Sequence, residues 1–240
     1  MIRLALLCLA LTMVAAGTAR ACESVTHRDR AFTICTVDLA RQAISLHLLG
    51  PDGAPLGEFA ALERAMDRPV TLAMNGGMYH PDRSPVGLYV EDGQQATDLV
   101  TRAGPGNFGM LPNGVFCIRD DRADVIETGA FAADPPACRH ATQSGPMLVI
   151  DGALHPRFLP RSPSAKRRNG VGASEDGREV HFVASDGLVT FHEMATLFRD
   201  VLGVRNALYL DGSISRLHVP AEGRSDSGRA MGPILAVTER

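Results

Sequence analysis

The sequence predicts an α+β fold: a single domain on a mixed, largely antiparallel sheet with two main helices. Three observations lead there. Short apolar or alternating runs recur along the chain, and several are followed by Asp-Gly (Asp52-Gly53, Asp92-Gly93, Asp151-Gly152, Asp176-Gly177), the strongest short hairpin signal. Only two segments carry the spacing of an amphipathic helix, too few for a doubly wound parallel sheet.

The first element is a leader. Residues 4–16 form a mostly apolar run behind Arg3, and Ala19-Arg20-Ala21 supplies a small-x-small cleavage pattern. The run is too short to span a bilayer comfortably, so residues 1–21 read as a cleaved secretory signal and 22–240 as the mature domain. Cleavage after Ala21 would expose Cys22, but Ala19 and Arg20 are poor matches to a lipobox, which makes a lipoprotein the lesser reading. The expected location is periplasmic or secreted, with no transmembrane segment in the mature chain.

Four cysteines remain after cleavage: Cys22, Cys35, Cys117 and Cys138. An even number in an exported chain argues for disulfides. Three pairings are open. Cys22–Cys35 with Cys117–Cys138 is favoured, because the first joins two neighbouring extended segments and the second ties a strand to the loop leading into the next.

Strands are expected at residues 33–38, 44–49, 71–74, 87–91, 114–119, 147–150, 180–184, 207–210 and 234–237. The first helix falls at 58–67, where Phe59, Leu62 and Met66 share a face. The second falls at 191–202, with Met194, Leu197, Phe198, Val201 and Leu202 on one face. Thr190 and Glu193 have the spacing of a capping box, and Gly203 ends the run. Residues 132–136 and 156–168 read as surface loops. In both halves a helix, a short loop, an apolar strand and a polar turn follow one another, a similarity too local to establish an internal repeat.

Those two polar turns are the candidate site. The first strand runs into Asn75-Gly76-Gly77, the second into Asp211-Gly212-Ser213. An apolar strand that ends in an amide or carboxylate, followed by glycine, delivers a polar group to the mouth of a pocket. Adjacent strands are expected to bring Asn75 and Asp211 to one sheet edge. The competing reading is a plain turn at each place.

Arg168 closes the basic triplet Lys166-Arg167-Arg168, immediately before Asn169-Gly170-Val171-Gly172. Glycines that permit close approach beside a guanidinium fork suggest an anion site at Arg168, with Lys166 and Arg167 solvated. Asp186 ends a strand and is the reserve carboxylate, against a plain turn. Gln143-Ser144-Gly145 lacks a nucleophile elbow and reads as binding, with the Ser144 hydroxyl and the Gly145 amide as donors. Residues 104–109 form a loop that either closes over a ligand or merely connects strands. The histidines show no ligand spacing, so a zinc enzyme is disfavoured.

Without residues 1–21 the chain keeps 22 basic and 27 acidic residues, a net charge of −5 with histidine neutral. That balance, with no basic stripe beyond the triplet, makes nucleic acid a poor partner.

Asn75-Gly76-Gly77-Met78-Tyr79, Gln143-Ser144-Gly145-Pro146-Met147, Arg168-Asn169-Gly170-Val171-Gly172 and Leu210-Asp211-Gly212-Ser213, in this order, resemble the phosphodiester glycosidase family. The resemblance covers nearly the whole mature chain and is nearest to small exported bacterial members. It implies a hydrolase acting on a glycosyl phosphodiester. The eukaryotic pattern Asp-Gly-Gly-Gly-Ser is replaced here by Asp211-Gly212-Ser213-Ile214-Ser215, which puts bulk where glycine is expected.

A sugar joined to phosphate through its anomeric carbon already has a good leaving group, so a carboxylate at that carbon and cations on the phosphate suffice. Asp211 and Arg168 fit those roles. Asn75 would orient a sugar substituent, and Gly76, Gly77, Ser144, Gly145, Asn169, Gly212 and Ser213 would line the pocket. The partner is a small-molecule or glycan substrate. No cofactor is expected; Ca²⁺ or Mg²⁺ on Asp186, Asp211 and backbone carbonyls stays open. The alternatives are an exported protein that binds a phosphosugar or glycan without turnover, and a structural envelope protein whose motifs only preserve the fold.

Overall fold

Burial on both faces of a strand organises the chain from its start. In the strand Arg30–Asp38, Phe32 and Ile34 turn to one apolar cluster while Cys35 and Val37 turn to another, as side chains that alternate across a sheet must. The computed structural model describes residues 21–212 and 214–240, so the expected leader up to Arg20, and Ser213, lie outside the described residues.

Among the described residues, three open antiparallel sheets carry the fold. The seven-stranded sheet runs in the spatial order Cys22–His27, Arg30–Asp38, Glu179–Ser185, Asn169–Ala173, Ala207–Tyr209, Met147–Ile150, Ala153–Leu154. A five-stranded sheet runs Arg224–Ser225, Leu217–Val219, Val70–Asn75, Ile234–Glu239, Gln42–His47. The other five-stranded sheet runs Gln94–Thr97, Tyr89–Glu91, His140–Ser144, Gly114–Ile118, Ala123–Glu127. The expected single sheet is thus three, and all their ladders are antiparallel. One core joins them: Leu72, Met74 and Leu235 from one sheet, Tyr89 and Phe116 from another, and Val171, Phe182 and Leu208 from the largest lie in a single apolar cluster. Phe116 meets Phe182 edge-on with ring centroids 6.2 Å apart.

Among the described residues three short α-helices pack against the sheets. Phe59–Ala65 buries Phe59 and Leu62 against Val70, Ala73 and Ile234. Thr128–Ala133, in a stretch expected to enter a loop, buries Phe131 under Val115 and Cys117. Phe191–Thr196 opens with the expected capping box: the Glu193 N–H donates to Thr190 Oγ1 at 3.1 Å and the Thr190 N–H to Glu193 Oε2 at 2.7 Å. The expected second helix does not continue in α form to residue 202; Leu197–Val201 winds as a π-helical turn.

That turn explains two glycines read above as room for a ligand. A Cβ on Gly170 would lie 2.8 Å from Leu208 O and 3.2 Å from Phe198 Cε2, and one on Gly172 would lie 3.1 Å from Phe198 Cδ1. The close approach they allow is that of the Phe198 ring to the sheet.

Both disulfides pair as favoured from the sequence. Cys22 and Cys35 are partners in register on neighbouring strands, with Cα atoms 4.1 Å apart. Cys117, mid-strand, joins Cys138 in the segment that leads into His140–Ser144. Among the described residues no helix is long and apolar enough to cross a membrane.

Candidate functional site

The apolar strand Val70–Asn75 ends with Asn75 inside the molecule, 1% exposed. A buried amide needs partners, and here one comes from the seven-stranded sheet and one from the residue before a neighbouring strand of its own sheet. Asn169, at the first position of its own strand, donates through Nδ2 to Asn75 Oδ1 at 2.7 Å. The Arg216 N–H donates to the same oxygen at 3.0 Å, and the Asp211 N–H donates to Asn169 Oδ1 at 3.0 Å. Both backbone groups can only donate, so each fixes its amide with oxygen toward it. Asn75 and Asp211 are therefore brought together through Asn169. They do not share a sheet edge as expected, because Val70–Asn75 and Ala207–Tyr209 belong to different sheets and the site forms where those sheets meet.

A second bond seats the same turn. Ser144 is fully buried, and its Oγ donates to Leu210 O at 2.7 Å. The Ser144 hydroxyl is thereby directed at the strand carrying Asp211. Gly145, next to it, abuts Asn113, whose Cβ would be 2.6 Å from any Cβ added there. Gly76 and Gly77 are also enclosed by protein: the Gly76 N–H donates to Pro233 O at 2.7 Å and the Gly77 N–H to Thr142 Oγ1 at 3.2 Å. Ser213 lies outside the described residues.

Asp211 itself is half-buried and lines a cavity of about 420 Å³ together with Met78, Tyr79, Asn107, Tyr209, Ile214 and Arg229. Two phenols flank it. Burial pushes the Tyr79 hydroxyl above its ordinary range and the Asp211 charge adds to the effect. Burial likewise pushes Tyr209 up, Asp211 again adding and Arg168 opposing. Both phenols stay protonated at neutral pH. Tyr79 is anchored by donating to Ala230 O at 2.9 Å, and the Arg83 guanidinium lies 5.3 Å from its ring centre. Below the turn, Gly212 is pressed against the Tyr209 hydroxyl and leaves no room for a side chain.

Arg168 is placed differently from its neighbours in the triplet. It is 1% exposed, whereas Lys166 and Arg167 are on the surface. Its Nε donates to Val189 O at 2.9 Å and its Nη2 to Ser164 O at 3.1 Å, and the guanidinium lies 3.6 Å over the Phe191 ring centre and 5.5 Å from that of Tyr209. Burial holds its pKa below the ordinary arginine value. Arg168 reaches the cavity only through Tyr209. The arginines that line the Asp211 cavity are Arg83 and Arg229, which no pattern in the sequence marks; Arg167, read as solvated in the triplet, lines the neighbouring one.

Asp186, the reserve carboxylate, accepts from Thr33 Oγ1 at 2.9 Å and from Arg224 Nη1 at 3.2 Å, and it lines neither cavity beside Asp211. Among the described residues no group of three or more histidine, cysteine, aspartate or glutamate side chains is disposed to hold a metal ion. Tyr79, in the first motif, lines the cavity; Tyr209 and Asn107 line it too and were not selected from the sequence, where the place of Asn107 in the glycine-rich loop 104–109 was its signal.

The comparisons with known proteins agree with this architecture. The Escherichia coli (strain K12) protein YigE is 40% identical over 150 residues, which is 62% of this chain; the aligned part spans 58% of that protein. The catalytic domain of zebrafish N-acetylglucosamine-1-phosphodiester α-N-acetylglucosaminidase, auto-inhibited by its pro-peptide, superposes with a TM-score of 0.64 at 17% identity, over 93% of this chain and 85% of that one. A Burkholderia pseudomallei protein described as exported superposes with a TM-score of 0.57 at 14% identity, over 87% and 74% of the two chains. At these identities the two structures speak to the fold alone. The sequence model of one family spans residues 68–238, from the strand bearing Asn75 to the last strand of its sheet, with Asn169 and Asp211 between them, and on that match the chain belongs to the phosphodiester glycosidase family.

Proposed function

We infer that this chain is an exported hydrolase of a glycosyl phosphodiester, acting through Asp211. The observation that carries the reading is the half-buried carboxylate of Asp211 in a cavity of about 420 Å³ between Tyr79 and Tyr209, with Arg229 also lining it. The family match and the activity named for the zebrafish relative supply the bond type. N-acetylglucosamine 1-phosphodiesters are accordingly the first substrates to try.

The chemistry follows from the leaving group. Breaking the bond between the anomeric carbon and the phosphate oxygen releases a phosphate monoester, which departs as an anion without needing a proton from the protein. Asp211 supplies negative charge at the anomeric carbon, as nucleophile or as base for water. Arg229 stabilises the charge accumulating on the departing phosphate. The Tyr79 ring packs against the sugar, and the protonated Tyr209 phenol donates to its oxygens. In this reading Asn75, Asn169 and Ser144 are positioning residues that hold the Asp211 turn, and Arg168 acts by fixing Tyr209. The disulfides and the exported relative support a periplasmic or secreted location.

A second reading, binding without turnover, draws on one observation: Asp186, the reserve carboxylate, is already engaged by Thr33 and Arg224 and lines neither cavity. Turnover assays on a panel of sugar 1-phosphodiesters, run beside Asp211→Asn, separate the two. The hydrolase reading expects release of free sugar and a fall on the order of 10³-fold or more in kcat for the variant. Binding with no turnover in the unaltered protein would establish the second reading instead.

A further inference from the structure

Two cavities of about 420 Å³ each open side by side, and Ile214 and Arg229 line both. The first is the tyrosine-walled chamber of Asp211. The second is polar and is lined by Arg167, Arg216 and Asp226. Its arginines are not equivalent. Arg216 is buried and committed: Nη2 donates to Glu58 Oε2 at 2.7 Å, Nε to Asp226 O at 2.9 Å and Nη1 to Arg229 O at 3.1 Å. Arg167 and Arg229 are exposed. Asp226 is committed as well, accepting from the Leu217 N–H at 2.9 Å and from Arg224 Nη2 at 3.1 Å. The second chamber therefore offers solvent-facing guanidiniums at its junction with the first and beyond it, while its carboxylate is already compensated.

The partition between the chambers is firm. Ile214 is 8% exposed and packs with Phe59, Leu62 and Met231, so its side chain belongs to the core as much as to the cavity wall. It stands where the family resemblance implies glycine. A ligand occupying both chambers has to cross at this residue, under Arg229.

We propose that the second chamber is an aglycone subsite for an anionic group: the substrate is a glycosyl phosphodiester whose aglycone carries a further phosphate or carboxylate. This rests on the hydrolase reading of the Asp211 cavity. The sugar occupies the tyrosine chamber and the scissile phosphate lies at Arg229. A phosphodiester carries one negative charge, which Arg229 matches; Arg167, further into the second chamber, matches a second. A guanidinium fork suits the planar or tetrahedral oxygens of such a group better than it suits a neutral hydroxyl.

Calorimetry with the methyl and the 2-phosphoethyl diesters of N-acetylglucosamine 1-phosphate, on the Asp211→Asn protein to arrest turnover, tests the subsite. The phosphoethyl diester is expected to bind about five- to tenfold more tightly at low salt, consistent with one hydrogen-bonded charge pair. Adding Arg167→Ala is expected to bring the two diesters to equal affinity, and Arg167→Lys to restore part of the difference. Equal affinities in the parent, or a preference that survives Arg167→Ala, overturns the proposal. Turnover of the same diesters by the unaltered protein is scored separately. Preference without turnover overturns the hydrolase reading and retains the anionic subsite; turnover without preference does the reverse.

Discussion

Asn169 holds together what two sheets deliver. Its Nδ2 donates to Asn75 Oδ1 and its Oδ1 accepts from the Asp211 N–H, with both asparagine side chains buried. Asn169→Ala would leave the Asp211 N–H without that acceptor and remove one of the two donors to Asn75 Oδ1. Urea unfolding should show a loss of about 1–3 kcal/mol, the usual cost of a buried polar group left without a partner. Asn169→Asp keeps the acceptor but removes the donor and buries a charge, so it should be the worse of the two; a stability equal to that of the unaltered protein would argue against the network. Asn75, Asn169 and Asp211 were legible in the sequence because each adjoins an apolar strand and a glycine. The burial of Arg168 was not. A basic triplet looks like a solvated loop, and the rings that stack on this one guanidinium, Phe191 and Tyr209, come from other elements.

At the scale of elements, the strand Asn169–Ala173 and the π-helical turn Leu197–Val201 form a matched pair. The strand's glycines leave a trough, and Phe198 fills it. Gly170→Ala would put a methyl group 2.8 Å from Leu208 O and 3.1 Å from Leu148 Cδ1, with backbone on one side that cannot yield cheaply. The expected cost is about 1–3 kcal/mol, read as a lower denaturation midpoint, because overpacking displaces both the helix and the strand that bears Asn169. A variant as stable as the parent would show that the helix moves freely. Thr190→Ala, which removes the capping hydroxyl, should cost about 1 kcal/mol in the same assay. The helix start was readable from Thr190 and Glu193, since capping is a local event. The change to π winding was not, because apolar spacing over one or two turns fits either form. Hairpins divide in the same way. The turns at Asp92-Gly93 and Asp151-Gly152 have positive φ at both residues, as Asp-Gly predicts, but Arg28 and Asp29 do the same at φ 50° and 59° with no glycine to announce them.

Across the whole molecule, the three-sheet arrangement was hidden from the sequence because alternation marks a strand without naming its neighbours. It places a buried histidine at the seam of two sheets. His140, 2% exposed, begins a strand of one five-stranded sheet; His47, at the end of an edge strand of the other, is close enough for its charge to oppose protonation. The Asp92 N–H donates to His140 Nδ1 at 3.2 Å, so the neutral ring carries its proton on Nε2, 3.6 Å from Asp92 Oδ1. Burial lowers the His140 pKa to about 4, with Asp92 opposing and His47 and Arg139 reinforcing the shift. In the unfolded chain the ring titrates near its ordinary value of 6.5. Between those two values the unfolded state binds more protons, so this residue's contribution is fully present above about pH 6.5 and is lost as the pH falls toward 4. The shift corresponds to at most roughly 3 kcal/mol. Unfolding free energies measured from pH 7 to pH 4 should therefore fall, and fall less steeply in His140→Gln, which keeps an amide at the site but has no proton to gain. Carboxylates titrate in the lower part of that range in both proteins, so the difference between the two curves isolates the histidine. Parallel curves would mean that His140 gains its proton in the folded state as easily as in the unfolded one, and that the seam between the sheets admits a charge.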